Sequence, residues 1–213
     1  MKRLFVILLL SVALMPSTGA ARSIADLFAT EPGNIFPLLT RTNRLDMVDY
    51  HLSGQTVDMS NNLSGESRLV ELDSAYLKVK TSGSRVVEMY MRKVGKDTVI
   101  TVIETVMTLV PDSRLTQWNS HWQRFTSDKL FAMPVIDDFI VKKMPRELRA
   151  DLQDAMIFPL VQLSFKGGNH DTIEATHGLE RFLAPVEYKR FAEYLKPSIT
   201  YRFNGLKIKP VKK

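Results

Sequence analysis

The 213-residue chain contains no cysteine. That excludes disulfides, thiol nucleophiles, thiolate metal sites and a lipid-modified amino-terminal cysteine. A fold of this length without cross-links rests on its apolar core alone. A strong excess of one charge is also missing. Lys and Arg number 29 against 23 Asp and Glu, a net +6, and setting Lys2 and Arg3 aside with the leading segment leaves 27 − 23 = +4. The surplus is spread along the chain and forms no stripe of the kind a phosphate backbone requires, so nucleic acid is not an expected partner. The only local basic cluster, Lys207, Lys209, Lys212 and Lys213, reads as a solubilising end. Also missing are a G-x-S-x-G elbow, a P-loop, a dinucleotide-binding glycine pattern and an H-E-x-x-H helix, so neither hydrolase nor nucleotide chemistry has a sequence anchor.

The amino end carries a clear message. Lys2 and Arg3 precede an apolar run from Leu4 to Leu14, broken only by Ser11, and Pro16, Ser17 and the small residues Gly19, Ala20 and Ala21 follow. This order of basic, apolar and small residues is that of a signal peptide over 1–21. The run is too short to span a bilayer, which takes about 20 apolar residues. The expectation is an exported protein, periplasmic or extracellular, with neither a transmembrane nor a lipid anchor after cleavage.

Leu69 to Val110 reads as β-length runs separated by Ser/Gly and Gly/Lys/Asp turns. Leu77, Val79 and Thr81 share one phase, as do Val87, Met89 and Met91, and Val99, Thr101, Ile103, Thr105, Met107 and Leu109 line a third strand. A period of two places these sets on one face of an antiparallel meander. The methionines on it are core filler. Before the meander, Ser23 with Asp26 fits a capping box on a short helix. Asn43 with Asp46 opens a second helix, with Leu45, Val48 and Leu52 as its stripe and Gly54 as its left-handed cap. These helices are the natural cover for the sheet. Arg114 to Trp118 adds a strand, with Trp118 and Trp122 packed at its end.

The second half has its own order. Pro145 leads a helix with Leu148, Leu152, Ala155 and Met156 on one face. Val161, Leu163 and Phe165 alternate, Gly167 to Asn169 turns, and Ile173 and Ala175 return. Pro185 starts a helix with Tyr188, Phe191 and Leu195 inside, and Asn204-Gly205 marks a hairpin between Ile199–Phe203 and Leu206–Ile208. Strands and helices occur without a βαβ rhythm. The fold class is therefore α+β, an antiparallel sheet covered by short helices, organised as subdomains 22–132 and 133–213 packed together.

Candidates for chemistry are few. Arg41, Asp46, Asp49, Tyr50 and His51 form a dense polar cluster. On a helix Asp46 shares a face with Asp49 and Tyr50, and two close carboxylates can do acid/base work if their environments differ. The bland alternative is a capped helix end with a solvated rim. Among the four histidines, His170 and His177 lie near Asp171, Glu174 and Glu180, but their spacing matches no zinc signature and reads as turn and surface. His51 suits a helix end, and no metal or cofactor is expected.

PLLTRTNRLDMVDYHLSG at 37–54, NNLSG at 61–65, LKVKTSGSRVVEMYM at 77–91 and EYLKPSITYRFNG at 193–205 together resemble a family of exported Bacteroidales proteins known as a domain of unknown function, number 3256. The resemblance covers nearly the whole mature chain. Where such families carry tryptophan in the last hairpin, this chain has Phe203. The resemblance implies no activity and no catalytic residues. The reading that remains is a non-enzymatic binding or envelope-interaction module for a protein, glycan or small molecule. A hydrolase with a carboxylate/histidine site and a structural part of an envelope assembly are its rivals. Export predicts a mature amino terminus between Ala20 and Ser23; mass measurement that finds the chain intact from Met1 in the envelope fraction overturns it.

Overall fold

Ser23 Oγ accepts the backbone N–H of Asp26 at 3.1 Å while Asp26 returns a carboxylate to the Ser23 N–H at 3.0 Å, closing the expected capping box on α1 (Ile24–Thr30). In this computed structural model, which describes residues 22–211 apart from 142, 156–159 and 169, the segment 1–21 read above as a signal peptide, Met156, Asn169, Lys212 and Lys213 lie outside the described residues. The second helix, α2 (Arg41–Leu52), starts two residues before Asn43 because Thr40 is its cap and Asn43 the reciprocal partner. It ends as expected: Gly54, at φ +74°, lets the Gln55 N–H reach back to Tyr50 O at 2.9 Å and its own N–H to His51 O at 3.0 Å.

The inward stripe of α2 differs from the expected one. Leu45 and Leu52 are 42% and 72% exposed, and Arg44, Met47 and Val48 are buried. The reason is Glu31, whose carboxylate is fully buried and accepts the backbone N–H groups of Gly33, Asn34, Ile35 and Phe36 at 2.7 to 3.3 Å. Arg44 approaches it to 3.7 Å and donates to the carbonyls of Leu39, Ala29 and Glu31. An arginine held by this loop rotates the helix so that its neighbours, not Leu45 and Leu52, face the core. A buried pair of this kind is costly to break from one side, by about 3–5 kcal/mol.

The meander forms a six-stranded antiparallel sheet in sequence order: β1 (Met59–Ser60), β2 (Glu66–Leu72), β3 (Tyr76–Ser82), β4 (Arg85–Val94), β5 (Asp97–Val106) and β6 (Asp112–Asn119). Leu77, Val79, Val87 and Met89 meet α1 and α2 on one face, as the alternation predicts. The β5 set divides differently. Ile100 and Val102 join the helical face, and Ile103, opposite Glu88 and Leu115 in the register, turns to the other. That second face is covered as well, so β5 is buried on both phases and alternation alone could not choose between them. β5 also ends at Val106, before Met107 and Leu109, which are 40% and 82% exposed in the turn toward Pro111.

The second cover is a four-stranded antiparallel sheet in the order β10-β9-β8-β7, built from β7 (Val161–Lys166), β8 (Thr172–His177), β9 (Ser198–Asn204) and β10 (Lys207–Pro210). Val161, Leu163, Ile173, Ala175, Ile199 and Tyr201 pack with Tyr76 and Ile103 in one core. That core also takes Leu152 from α3 (Arg146–Ala155), Leu179 from α4 (Leu179–Phe182) and Phe191 from α5 (Pro185–Ala192). The edge of β7 reaches β6 through side chains: Leu163 N–H donates to Ser113 Oγ at 2.9 Å and Val161 N–H to Asp112 Oδ1 at 3.3 Å. At the far corner Arg92 donates to Gly205 O at 2.6 Å and Gln117 to Leu206 O at 3.0 Å, holding the final hairpin turn against the first sheet.

Ile103 is fully buried at the junction of the two sheets. Ile103→Asp places a carboxylate there without a partner and costs several kcal/mol. Urea unfolding checks this, and a midpoint equal to the parent's contradicts the assigned phase.

Candidate functional site

The five polar residues of α2 lie along its outer side. Arg41, Asp49 and Tyr50 are exposed, and Asp46 and His51 are half-buried. Among the described residues no side-chain hydrogen bond or ion pair joins Asp46 or Asp49 to Tyr50 or His51. Arg41 stands at the rim of an open depression of about 520 Å³ whose lining includes Glu31 and Arg44, groups already engaged with the backbone.

The two histidines named with the acidic residues are pulled apart by β8, one at each end, and neither is a plain surface residue. His170, in the left-handed region at φ +54°, stacks on Tyr76 with ring centroids 3.7 Å apart and 6° between planes. Its Nε2 lies 3.3 Å from Asp73 Oδ2 and 3.5 Å from Glu71 Oε1, which ties the β7–β8 turn to the β2–β3 turn. Among the described residues no three histidine or acidic side chains converge to hold a metal ion. Nor is any helix of those residues long and apolar enough to cross a membrane.

His177, the last residue of β8, is in a different position. Its ring meets Phe139 edge to face at 5.1 Å, and both ring nitrogens are buried without a hydrogen bond of ordinary geometry, although the Lys196 backbone lies near. Burial lowers its pKa from the ordinary imidazole value, against smaller raising effects from Lys196 and Glu180, so the ring is neutral at pH 7. The ring lies on the core side of β8 with Val161 opposite, and the residue borders a cavity of about 270 Å³. Gln162 enters from β7 and Thr176 from β8, while Glu180 and Arg181 come from α4 and Tyr188 from α5. Pro111 and Pro197 supply apolar wall. Burial, and secondarily the charge of Glu180, keeps the Tyr188 hydroxyl above its ordinary range and therefore protonated.

Gly178 sets the shape of this corner. A Cβ there would lie 2.0 Å from Val110 Cγ1, and Val110 is itself buried, so only glycine lets the chain leave β8 this close to the β5–β6 connection. The cavity residues come from four separate elements, which is why spacing in the sequence does not reveal them. The one legible sign was His177 at the end of an alternating strand, followed directly by glycine.

A family model described as a protein of unknown function, DUF3256, matches residues 17–208. The chain belongs to this family. A solved structure described as a domain of an uncharacterized protein from Porphyromonas gingivalis W83, a Bacteroidales member, shares the DUF3256 chain's fold: 21% identity, a TM-score of 0.76, and coverage of 89% of this chain and 98% of that one. No curated protein matches.

One further ionisable pair in the DUF3256 chain is fully internal. Tyr76 donates to Glu88 Oε1 at 2.6 Å between the two sheets. Burial raises the Glu88 pKa above its ordinary value despite the opposing effects of Tyr76, Lys78, the Phe165 backbone and Lys166. The folded chain thus keeps a proton that the unfolded chain releases above pH 4.5, and stability falls as pH rises from there through the folded value. Glu88→Gln, which keeps the acceptor for Tyr76, is expected to match the parent near pH 4.5 and to gain on it as pH rises. Urea unfolding over a pH series measures the gap; a variant equally weakened at every pH refutes a protonated Glu88.

Proposed function

We propose that this chain is a non-enzymatic binding module that acts outside the cytoplasm, and that the cavity beside His177 is where it binds. The observation that carries the reading is a cavity of about 270 Å³ at which Gln162 and Thr176 from two strands meet Arg181 and Tyr188 from two helices. Gln162, Thr176, Arg181 and Tyr188 on its wall offer hydrogen-bond donors and acceptors to a ligand. Concave sites with a few convergent polar groups on rigid elements are the usual form of small-molecule sites. The basic, apolar and small-residue order of Lys2 to Ala21 supports the location.

Thermal melting of the processed protein against fractionated metabolite and glycan pools tests the proposal. A ligand at about 100 times its Kd adds about 2.7 kcal/mol, a rise of roughly 5–10 °C for a domain of this size. The expected result is such a rise, reduced in Gln162→Leu and in Arg181→Ala, with the ligand recovered unchanged. Chemical conversion of the ligand overturns the non-enzymatic reading and favours a hydrolase. A rise unaffected by both substitutions places the site elsewhere.

A further inference from the structure

We infer that the His177 cavity selects a neutral, hydroxyl-rich small molecule of about the size of one monosaccharide ring; this rests on the binding role proposed above and adds the class of ligand. Size is the first argument. A cavity of about 270 Å³ corresponds to about nine waters at liquid packing, and lies at the low end of small-molecule sites, which run from about 300 Å³. It holds a single six-membered ring with its substituents and excludes a chain of them from its interior.

The chemistry of the wall is the second. The Gln162 amide and the Thr176 and Tyr188 hydroxyls each both donate and accept. A ligand that pairs with three such groups must itself offer donors and acceptors on the same atoms, and an alcohol hydroxyl does so. A carboxylate or phosphate only accepts, and an ammonium only donates. The two charged lining groups, Glu180 and Arg181, are adjacent and opposite, so the wall has no net charge to offset the desolvation of an ionic ligand. Both are forked groups of the kind that engage two neighbouring hydroxyls at once. The apolar remainder suits the C–H face of a sugar ring: the Tyr188 ring, Pro111 and Pro197.

Isothermal titration of the purified, processed protein with glucose, galactose, mannose and N-acetylglucosamine tests the inference. Glucuronate, glucosamine, glutamate and inorganic phosphate are the comparison probes. The expected outcome is saturable binding of at least one neutral sugar, with the matching charged sugar weaker by about tenfold and a loss of about tenfold in Gln162→Leu. Arg181→Ala, at an exposed position, repeats the loss without disturbing the core. Preferential binding of glutamate, phosphate or glucuronate in the same cavity overturns the ligand class while the binding role stands. If the neutral sugars fail and a metabolite fraction still raises the melting temperature through Gln162, the class falls alone; if neither binds, both readings fall together.

Discussion

Coverage of the six-stranded sheet on both faces is the constraint from which the rest of the structure follows. A sheet with one wet face can send its polar side chains to water; here that outlet is closed across the central strands. Most polar groups on them have an internal partner that sets geometry, and the buried Thr101 hydroxyl is an exception. Glu88 takes the Tyr76 hydroxyl, Glu104 accepts from Arg85 and Arg114, and Thr105 and Ser113 share a hydrogen bond of 2.8 Å. The carboxyl-terminal half is accordingly no accessory. It completes the interior of the first half, since Tyr76 and Ile103 belong to the same apolar core as Leu163, Ile173 and Tyr201.

The attachments between the halves are polar and directional, and they lie around the shared core. Arg92, over the face of Phe203 at 4.4 Å, fixes the last hairpin; His170 stacked on Tyr76 fixes the β7–β8 turn; Ser113 and Asp112 fix the β7 edge. Hydrophobic burial is indifferent to a small slide of one sheet over another, and hydrogen bonds at separated corners are not. The cavity beside His177 inherits this rigidity. It opens where β8 ends, at Gly178 against Val110, and its walls belong to elements already held.

Much of the architecture was legible because it depends on local rules. Strand alternation, the Ser23 capping box, the Gly54 helix end, the Asn204-Gly205 hairpin and Pro185 at a helix start all express constraints within a few residues. What was not legible depended on partners distant in the chain. Leu45, Val48 and Leu52 read as the inner stripe of α2 because nothing near Arg44 in the sequence shows that Glu31 draws it inward. The β5 run is apolar on both phases, so which phase meets the helices was decided by a second sheet beginning at Val161. The candidate site shows the same limit. The polar cluster of α2 was conspicuous because it is contiguous, whereas Gln162, Thr176, Arg181 and Tyr188 converge only after folding.

The meander from Met59 to Asn119 is made of neighbouring hairpins, whose contacts close over short stretches of chain. The seam to β7 joins residues 49 and 50 positions apart, and the Arg92 contact with the last turn spans 113. Loop closure favours the short-range part first. A polypeptide that emerges amino end first thus completes its helix-covered side while Tyr76, Tyr90, Ile103 and Leu115 still await their cover. For that interval the nascent molecule presents an adhesive aromatic and aliphatic surface that the finished fold conceals.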